Sequence, residues 1–166
     1  ALYLVGASPT AEAVAALAPT LGFVVERASE GARPAGATAA VVSSHGGDEA
    51  GAIRSALDAG VGFVGLVCSH TRGQTLLEEL DLSEDELRRV HPHVGLEIGA
   101  RTPPEIALSI MAAIVRGIRL EGLTAAPAGE PAAPMQAVDP VCGMTVTVAP
   151  DTPHLVVDGV DHWFCN

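Results

Sequence analysis

Four short runs in the first 67 residues are apolar almost from end to end: LYLVG at 2–6, FVVE at 23–26, AAVVS at 39–43 and FVGLV at 63–67. A strand with one wet face alternates apolar and polar residues. Unbroken runs of this kind belong to parallel strands covered on both faces. The segments between them have helical period. Ser8-Pro9 opens the first as an N-cap followed by Pro, Val14, Leu17, Ala18 and Leu21 form its apolar row, and Gly22 stops it. Ala50, Ile53, Ala56 and Leu57 mark the second, which Gly60 ends. The repeat strand–turn–helix–strand predicts an α/β fold built on a doubly wound parallel sheet.

Further along, the pattern predicts a short helix near 74–80 and another from the capping box Ser83-x-x-Glu86 to about His91. A second capping box, Thr102-Pro103-Pro104-Glu105, opens the most regular helix, with Ile106, Ile110, Ile114 and Ile118 in one row. Residues 120–138 are rich in Ala and Pro, lack periodicity and read as a linker. The expected organisation is therefore a main domain at 1–119, a linker at 120–138 and a small segment at 139–166. In that last segment, residues 155–157, the turn Asp158-Gly159 and a strand to Phe164 read as a β-hairpin.

Composition narrows the function classes. The chain is 48% hydrophobic and 3% aromatic, so its core is aliphatic and extensive disorder is excluded. Its net charge of -11, with Arg as the sole cationic residue besides His, argues against nucleic acid as a partner. No apolar stretch reaches the ~18 residues of a membrane span. No charged n-region followed by an apolar h-region opens the chain, so no signal peptide is expected. Three Cys make no disulfide framework and suit a reducing, cytoplasmic setting.

Two turns carry candidate chemistry. Gly6-Ala7-Ser8 stands where a dinucleotide-binding turn would, and Glu26 lies 20 positions after Gly6, where a ribose hydroxyl is commonly held. Ser8 in place of a second Gly, and Pro9 without an N–H, favour a mononucleotide or pterin phosphate over a full dinucleotide. The second cluster follows the third and fourth strands: His45 and Asp48, then Cys68, Ser69, His70 and Arg72. Open parallel sheets bind ligands at such strand ends. Arg72 would hold phosphate. His45 would act as an acid or base, or donate to an oxo group. Cys68 is expected as a thiolate, stabilised by Arg72 and a helix N-terminus. The plainer reading makes Asp48 and Ser69 helix caps and Cys68 a packing residue.

These residues resemble a known family. His45-x-x-Asp48, residues 63–66 with Ser69 and Arg72, the run HPHVGLEIGA at 91–100 and TPPEIALSI at 102–110 are similar to the C-terminal domain of the XdhC/CoxI proteins. The resemblance covers roughly residues 1–119 and departs at Ser8, Cys68, His70 and Ala113. It implies a Rossmann-like domain that binds molybdenum cofactor (molybdopterin). It further implies a role in sulfuration of that cofactor and its insertion into xanthine or carbon monoxide dehydrogenase, hence a molybdenum hydroxylase client and a sulfurase as partners. Such a protein is a cofactor chaperone rather than a turnover enzyme. A homodimer is left open.

The last segment resembles part of a second family. Asp139-Pro140-Val141-Cys142-Gly143-Met144 and Trp163-Phe164-Cys165 look like a partial YHS domain. That resemblance implies a soft metal ion on Cys142 and Cys165. Two other function classes stay open beside the chaperone: an NAD(P)-binding oxidoreductase using Gly6 and Glu26, and a metal or redox adaptor using Cys68, Cys142 and Cys165.

Overall fold

The computed structural model describes residues 1–44, 47–125, 136–147, 152–157 and 160–164. His45 and Cys165, both expected at sites, lie outside the described residues, as does the hairpin turn Asp158-Gly159. The chain divides into two compact units, Ala1–Ala128 and Gly129–Asn166.

The larger unit holds five strands, β1 (Leu2–Val5), β2 (Val25–Arg27), β3 (Ala39–Val42), β4 (Val64–Leu66) and β5 (Val90–His91), all parallel, in the order β2-β1-β3-β4-β5. Five helices accompany them: α1 (Pro9–Leu17), α2 (Glu49–Asp58), α3 (His70–Leu80), α4 (Glu84–Arg89) and α5 (Pro103–Leu120). The doubly wound α/β expectation is met. Neighbouring residues along each strand face opposite sides, which separates two cores. Leu2, Leu4, Ala39 and Val41 pack with Val14 of α1 and Ile110, Met111 and Ile114 of α5. Tyr3, Ala40, Val42, Val64 and Leu66 pack with Ile53, Ala56 and Leu57 of α2, and Leu77 and Leu80 of α3 pack against them. The same pleat requires apolar residues on both sides, hence the unbroken runs.

Several boundaries differ from the sequence expectation. The first helix ends at Leu17 and passes into a 3-10 turn over Ala18–Leu21, because Pro19 cannot donate an N–H. The helix after β4 starts at His70, not near residue 74, since the Ser69 hydroxyl accepts the Arg72 N–H at 3.3 Å and caps it there. The helix expected to end near His91 stops at Arg89, and Val90–His91 becomes the fifth strand, paired in register with Val64 and Gly65. Both capping boxes form. Glu86 accepts the Ser83 N–H, and Glu105 accepts the N–H groups of Arg101 and Thr102.

The smaller unit contains two antiparallel ribbons. One pairs β6 (Gln136–Val138) with β7 (Thr145–Thr147), and the other pairs β8 (His154–Val157) with β9 (Val160–Trp163). Asp139 folds the first ribbon's connection. Its carboxylate accepts the N–H of Val141 at 2.8 Å and of Cys142 at 3.3 Å.

Candidate functional site: the carboxyl ends of β3, β4 and β5

The strand order reverses between β1 and β3, where doubly wound sheets open a crevice beyond their carboxyl ends. Here the base of that crevice is tied shut. Gly6 has φ of +101°, and a Cβ on it would lie 2.2 Å from the backbone oxygen of Ser43. Only glycine permits this approach. Beside it, the buried hydroxyls of Ser8 and Ser43 share a hydrogen bond of 2.6 Å. Ser8 also accepts the Ala11 N–H at 3.1 Å as the cap of α1. Ala7 is exposed at the mouth. Glu26 pairs in register with Tyr3, three residues before Gly6, and belongs to the face opposite α1. The strand's last residue, Arg27, instead clasps Glu12 of α1 through both guanidinium nitrogens at 2.8 and 2.9 Å. The first turn thus gathers Gly6, Ala7 and Ser8 but not Glu26.

The next gap, between β3 and β4, is richer. Asp48 caps α2, accepting the Gly51 N–H at 2.8 Å. The following residue, Glu49, is buried, although it is charged. One of its carboxylate oxygens accepts from the Ser44 hydroxyl at 3.3 Å and the other from Arg72 Nε at 3.0 Å. Glu49 thereby joins the segment after β3 to the first turn of α3. Sequence reasoning passed over Glu49. A signal was present: Glu49, Ile53, Ala56 and Leu57 fall on one helical row, so the acid sits in the apolar stripe of α2.

Beyond β5 the chain crosses back over the end of β4. Three close approaches hold this strap at 92–96. A Cβ on Gly65 would meet the Val94 side chain at 2.5 Å, one on Gly73 would meet Pro92 at 3.1 Å, and one on Gly95 would meet Ser109 Oγ at 2.5 Å. The Val94 N–H donates to Leu66 O, and the Leu96 N–H to Ser109 O. His93 on the strap stacks on His70 of α3, with ring centroids 4.8 Å apart. A cavity of about 350 Å³ opens here, lined by Val67, Cys68, His93, Leu96, Ile98 and Ser109 among others.

Cys68 lies between the strap and the Glu49–Arg72 pair, and its chemistry differs from the expected thiolate. Burial pushes its pKa up, the Glu49 carboxylate adds to the rise, and Arg72 only partly opposes it. The thiol donates to Pro92 O at 3.6 Å. Arg72 does act to lower the pKa, but by less than burial and the Glu49 carboxylate raise it. Cys68 is therefore a neutral donor in the cavity wall rather than a ready nucleophile.

A larger cavity, about 590 Å³, lies at the other end of the strands, beside Phe63, Arg88, Arg89, His91, Glu121 and Leu123. Most of its charges are paired locally, although the buried Nε of Arg89 has no hydrogen-bond partner among the described residues. Arg89 donates to the carbonyls of Leu57 and Val61, Arg88 pairs with Glu84, and Glu121 pairs with Arg116. His91 stacks on Phe63 at 4.1 Å, and burial lowers its pKa.

Among the described residues, no group of three or more His, Cys, Asp or Glu is arranged to hold a metal ion, and no helix is long and apolar enough to cross a membrane. Cys142 is exposed in the connection between β6 and β7.

Comparison with known proteins agrees with this geometry. A stretch of 59 residues is 37% identical to the uncharacterized protein YqeB of Escherichia coli K12, covering 34% of this chain and 11% of that protein. A crystal structure described as a xanthine dehydrogenase from Bacillus halodurans superposes with a TM-score of 0.58 at 20% identity, over 71% of this chain and 42% of that one. The chain thus spans less than half of either protein, and the second likeness speaks for the fold. Residues 2–114, well over half of the chain, match the family described as the XdhC Rossmann domain. The sheet, the strand-end crevice and this match together make the chain a member of the XdhC Rossmann-domain family.

Proposed function

We propose that the protein is a maturation factor for a molybdenum hydroxylase and that its strand-end crevice holds molybdenum cofactor during sulfuration or insertion. The observation that carries this reading is a cavity of about 350 Å³ whose wall includes Cys68, the residue on which both charges of the Glu49–Arg72 pair act, at the ends of β3 and β4. The cavity is in the size range of small-ligand sites. Leu96 and Ile98 offer apolar walls to a flat ring, the guanidinium suits its phosphate, and the neutral Cys68 thiol and the His70–His93 stack supply polar edges. Gly6, Ala7, Ser8 and Ser69 frame the crevice mainly through backbone and caps, with Asp48 fixing α2. When bound, the cofactor would bring the molybdenum chemistry; the protein's share is to bind, orient and shield it. The partners under this reading are a hydroxylase client and a sulfurase in the cytoplasm.

The dinucleotide alternative is less favoured, because Ser8 is engaged with Ser43 and Glu26 stands apart from the first turn. Equilibrium dialysis of the protein against molybdenum cofactor, NAD and NADP tests the choice. Retention of the molybdenum cofactor above both nucleotides is expected. Retention of NAD with none of the pterin would overturn the reading.

A further inference from the structure

We infer that Glu49 is a positioning residue for Arg72 and that the two form a phosphate subsite; the inference rests on the pterin-phosphate reading above and deepens it. The pair is asymmetric. The Glu49 side chain is 7% exposed, and that of Arg72 is 45% exposed. The acid end is anchored in the apolar row of α2 and bonded by Ser44, while the arginine end opens toward solvent. Taking a carboxylate out of water is costly, and an apolar pair would fasten α2 to α3 at least as well. What an apolar pair could not do is orient a cation. Glu49 occupies Arg72 Nε, and among the described residues it is the side chain's hydrogen-bonding partner. The edge formed by the two terminal guanidinium nitrogens is left as a fork for two oxygens of one phosphate.

Ser69 fixes the backbone beneath that fork by accepting the Arg72 N–H. Ser44 fixes the acid from the β3 side. Three segments therefore set one guanidinium before any ligand arrives, which cuts the ordering cost of binding. In a chain of net charge -11, an anion needs such a local, oriented cation.

The test is titration of the full chain with inorganic phosphate, followed at the Arg72 Nε–H resonance by NMR, alongside dialysis against molybdenum cofactor. Phosphate is expected to shift that resonance saturably. Arg72→Ala should weaken phosphate about 10-fold or more, as for hydrogen bonds to charged groups, and Glu49→Gln about 3- to 10-fold, the lost hold on Nε outweighing the removal of a like charge beside the anion. In the Arg72→Ala background, Glu49→Gln should change nothing further. Arg72→Lys lies on the exposed side and spares the fold. It keeps the charge but loses the fork, and most of the affinity should go with it. Wild-type phosphate affinity in Glu49→Gln or in Arg72→Lys would overturn the inference, even if Glu49→Gln melts lower. Phosphate bound at Arg72 without any cofactor retained would keep the subsite and remove the pterin reading. Cofactor retained equally by wild type, Glu49→Gln and Arg72→Ala would do the reverse.

Discussion

The two units use their apolar residues in opposite ways. In the larger unit Leu2, Leu4, Val41, Ile53, Ile110 and Ile114 are almost wholly withdrawn from water. In the described part of the smaller unit Val138, Val141, Met144, Leu155 and Val156 are all more than half exposed, and Val146 is the buried aliphatic residue. The cause is layering. A sheet covered by helices on both faces buries most residues of its inner strands, whereas a two-stranded ribbon has little to cover either face. What holds the first ribbon is local turn chemistry, centred on Asp139. One unit is stabilised by burial over long sequence separations and the other by short-range hydrogen bonds, so their stabilities should be separable.

The largest expected effect is in the larger unit's core. Ile110→Ala, at a fully buried position between α5 and the sheet, should cost about 2–5 kcal/mol. Gly6→Ala should be of similar severity, because its Cβ would collide with the Ser43 backbone at positive φ. By contrast Val156→Ala, on an exposed ribbon position, should change stability by no more than about 0.5 kcal/mol. Urea unfolding followed by circular dichroism compares the three. Equal costs at Ile110 and Val156 would break the distinction between the units.

Truncation sharpens the comparison at the next level down. A chain ending at Ala125 should keep the stability of the larger unit. A chain ending at Arg119 should lose about 1–2 kcal/mol, because it removes Leu123. That side chain fills the space beside Gly62 and Gly117, and the Leu123 N–H donates to Gly117 O. Thermal melts of the two shortened chains decide the matter. Aggregation of both would mean that the smaller unit covers part of the core.

A smaller effect separates the larger unit's pH response. Burial lowers the pKa of His91 from its ordinary 6.5, so the fold favours the neutral ring and the unfolded chain takes up the proton first. The stability contributed is complete above 6.5 and is lost as pH falls through that value toward the folded pKa. A melting temperature that declines between about pH 7.5 and 5.5 in the chain ending at Ala125, and a flatter one in His91→Gln, are expected. The carboxylates act in a lower window. Glu86 and Glu105, held down by backbone N–H groups, and Glu12, held down by Arg27, add stability that is lost only below about their ordinary 4.5.

Much of this architecture is written in local signals. The capping boxes at Ser83 and Thr102 and the four apolar runs each report on a few neighbouring residues, and all formed near where their patterns place them, except that the second run's strand shifts to Val25–Arg27 at the sheet edge and leaves Val24 exposed. Strand β5 could not be read this way. Two residues after Arg88-Arg89 carry no periodicity, and only pairing with Val64 and Gly65 makes them a strand. The site has the same limit. Asp48 and Ser69 are legible as caps, because cap and helix adjoin. Glu49 acquires its meaning from Arg72, 23 positions away, and the strap from three glycines on β4, α3 and the strap itself. Residues 91–100 were recognisable as a family signature, yet nothing in their order shows that His93 would stack on His70.

The smallest expected effect leaves stability untouched and concerns one cysteine from each unit. Sequence adjacency to Arg72 suggests an activated Cys68. In the structure burial raises the thiol's pKa, the Glu49 carboxylate adds to the rise, and Arg72 offsets only part of it. Cys142, by contrast, is exposed in a ribbon connection. Iodoacetamide attacks as fast as a thiolate is both formed and reachable. Near neutral pH Cys142 should therefore be labelled faster than Cys68 in the same tube, and peptide mapping of a timed reaction reads both at once. Labelling of Cys68 should go on rising as the pH passes above the ordinary thiol value of 9.0. Glu49→Gln should speed Cys68 by removing the neighbouring negative charge, without altering Cys142. Faster labelling of Cys68 than of Cys142 in the wild-type protein would restore the activated thiolate, and with it a direct sulfur-handling role for the strand-end crevice.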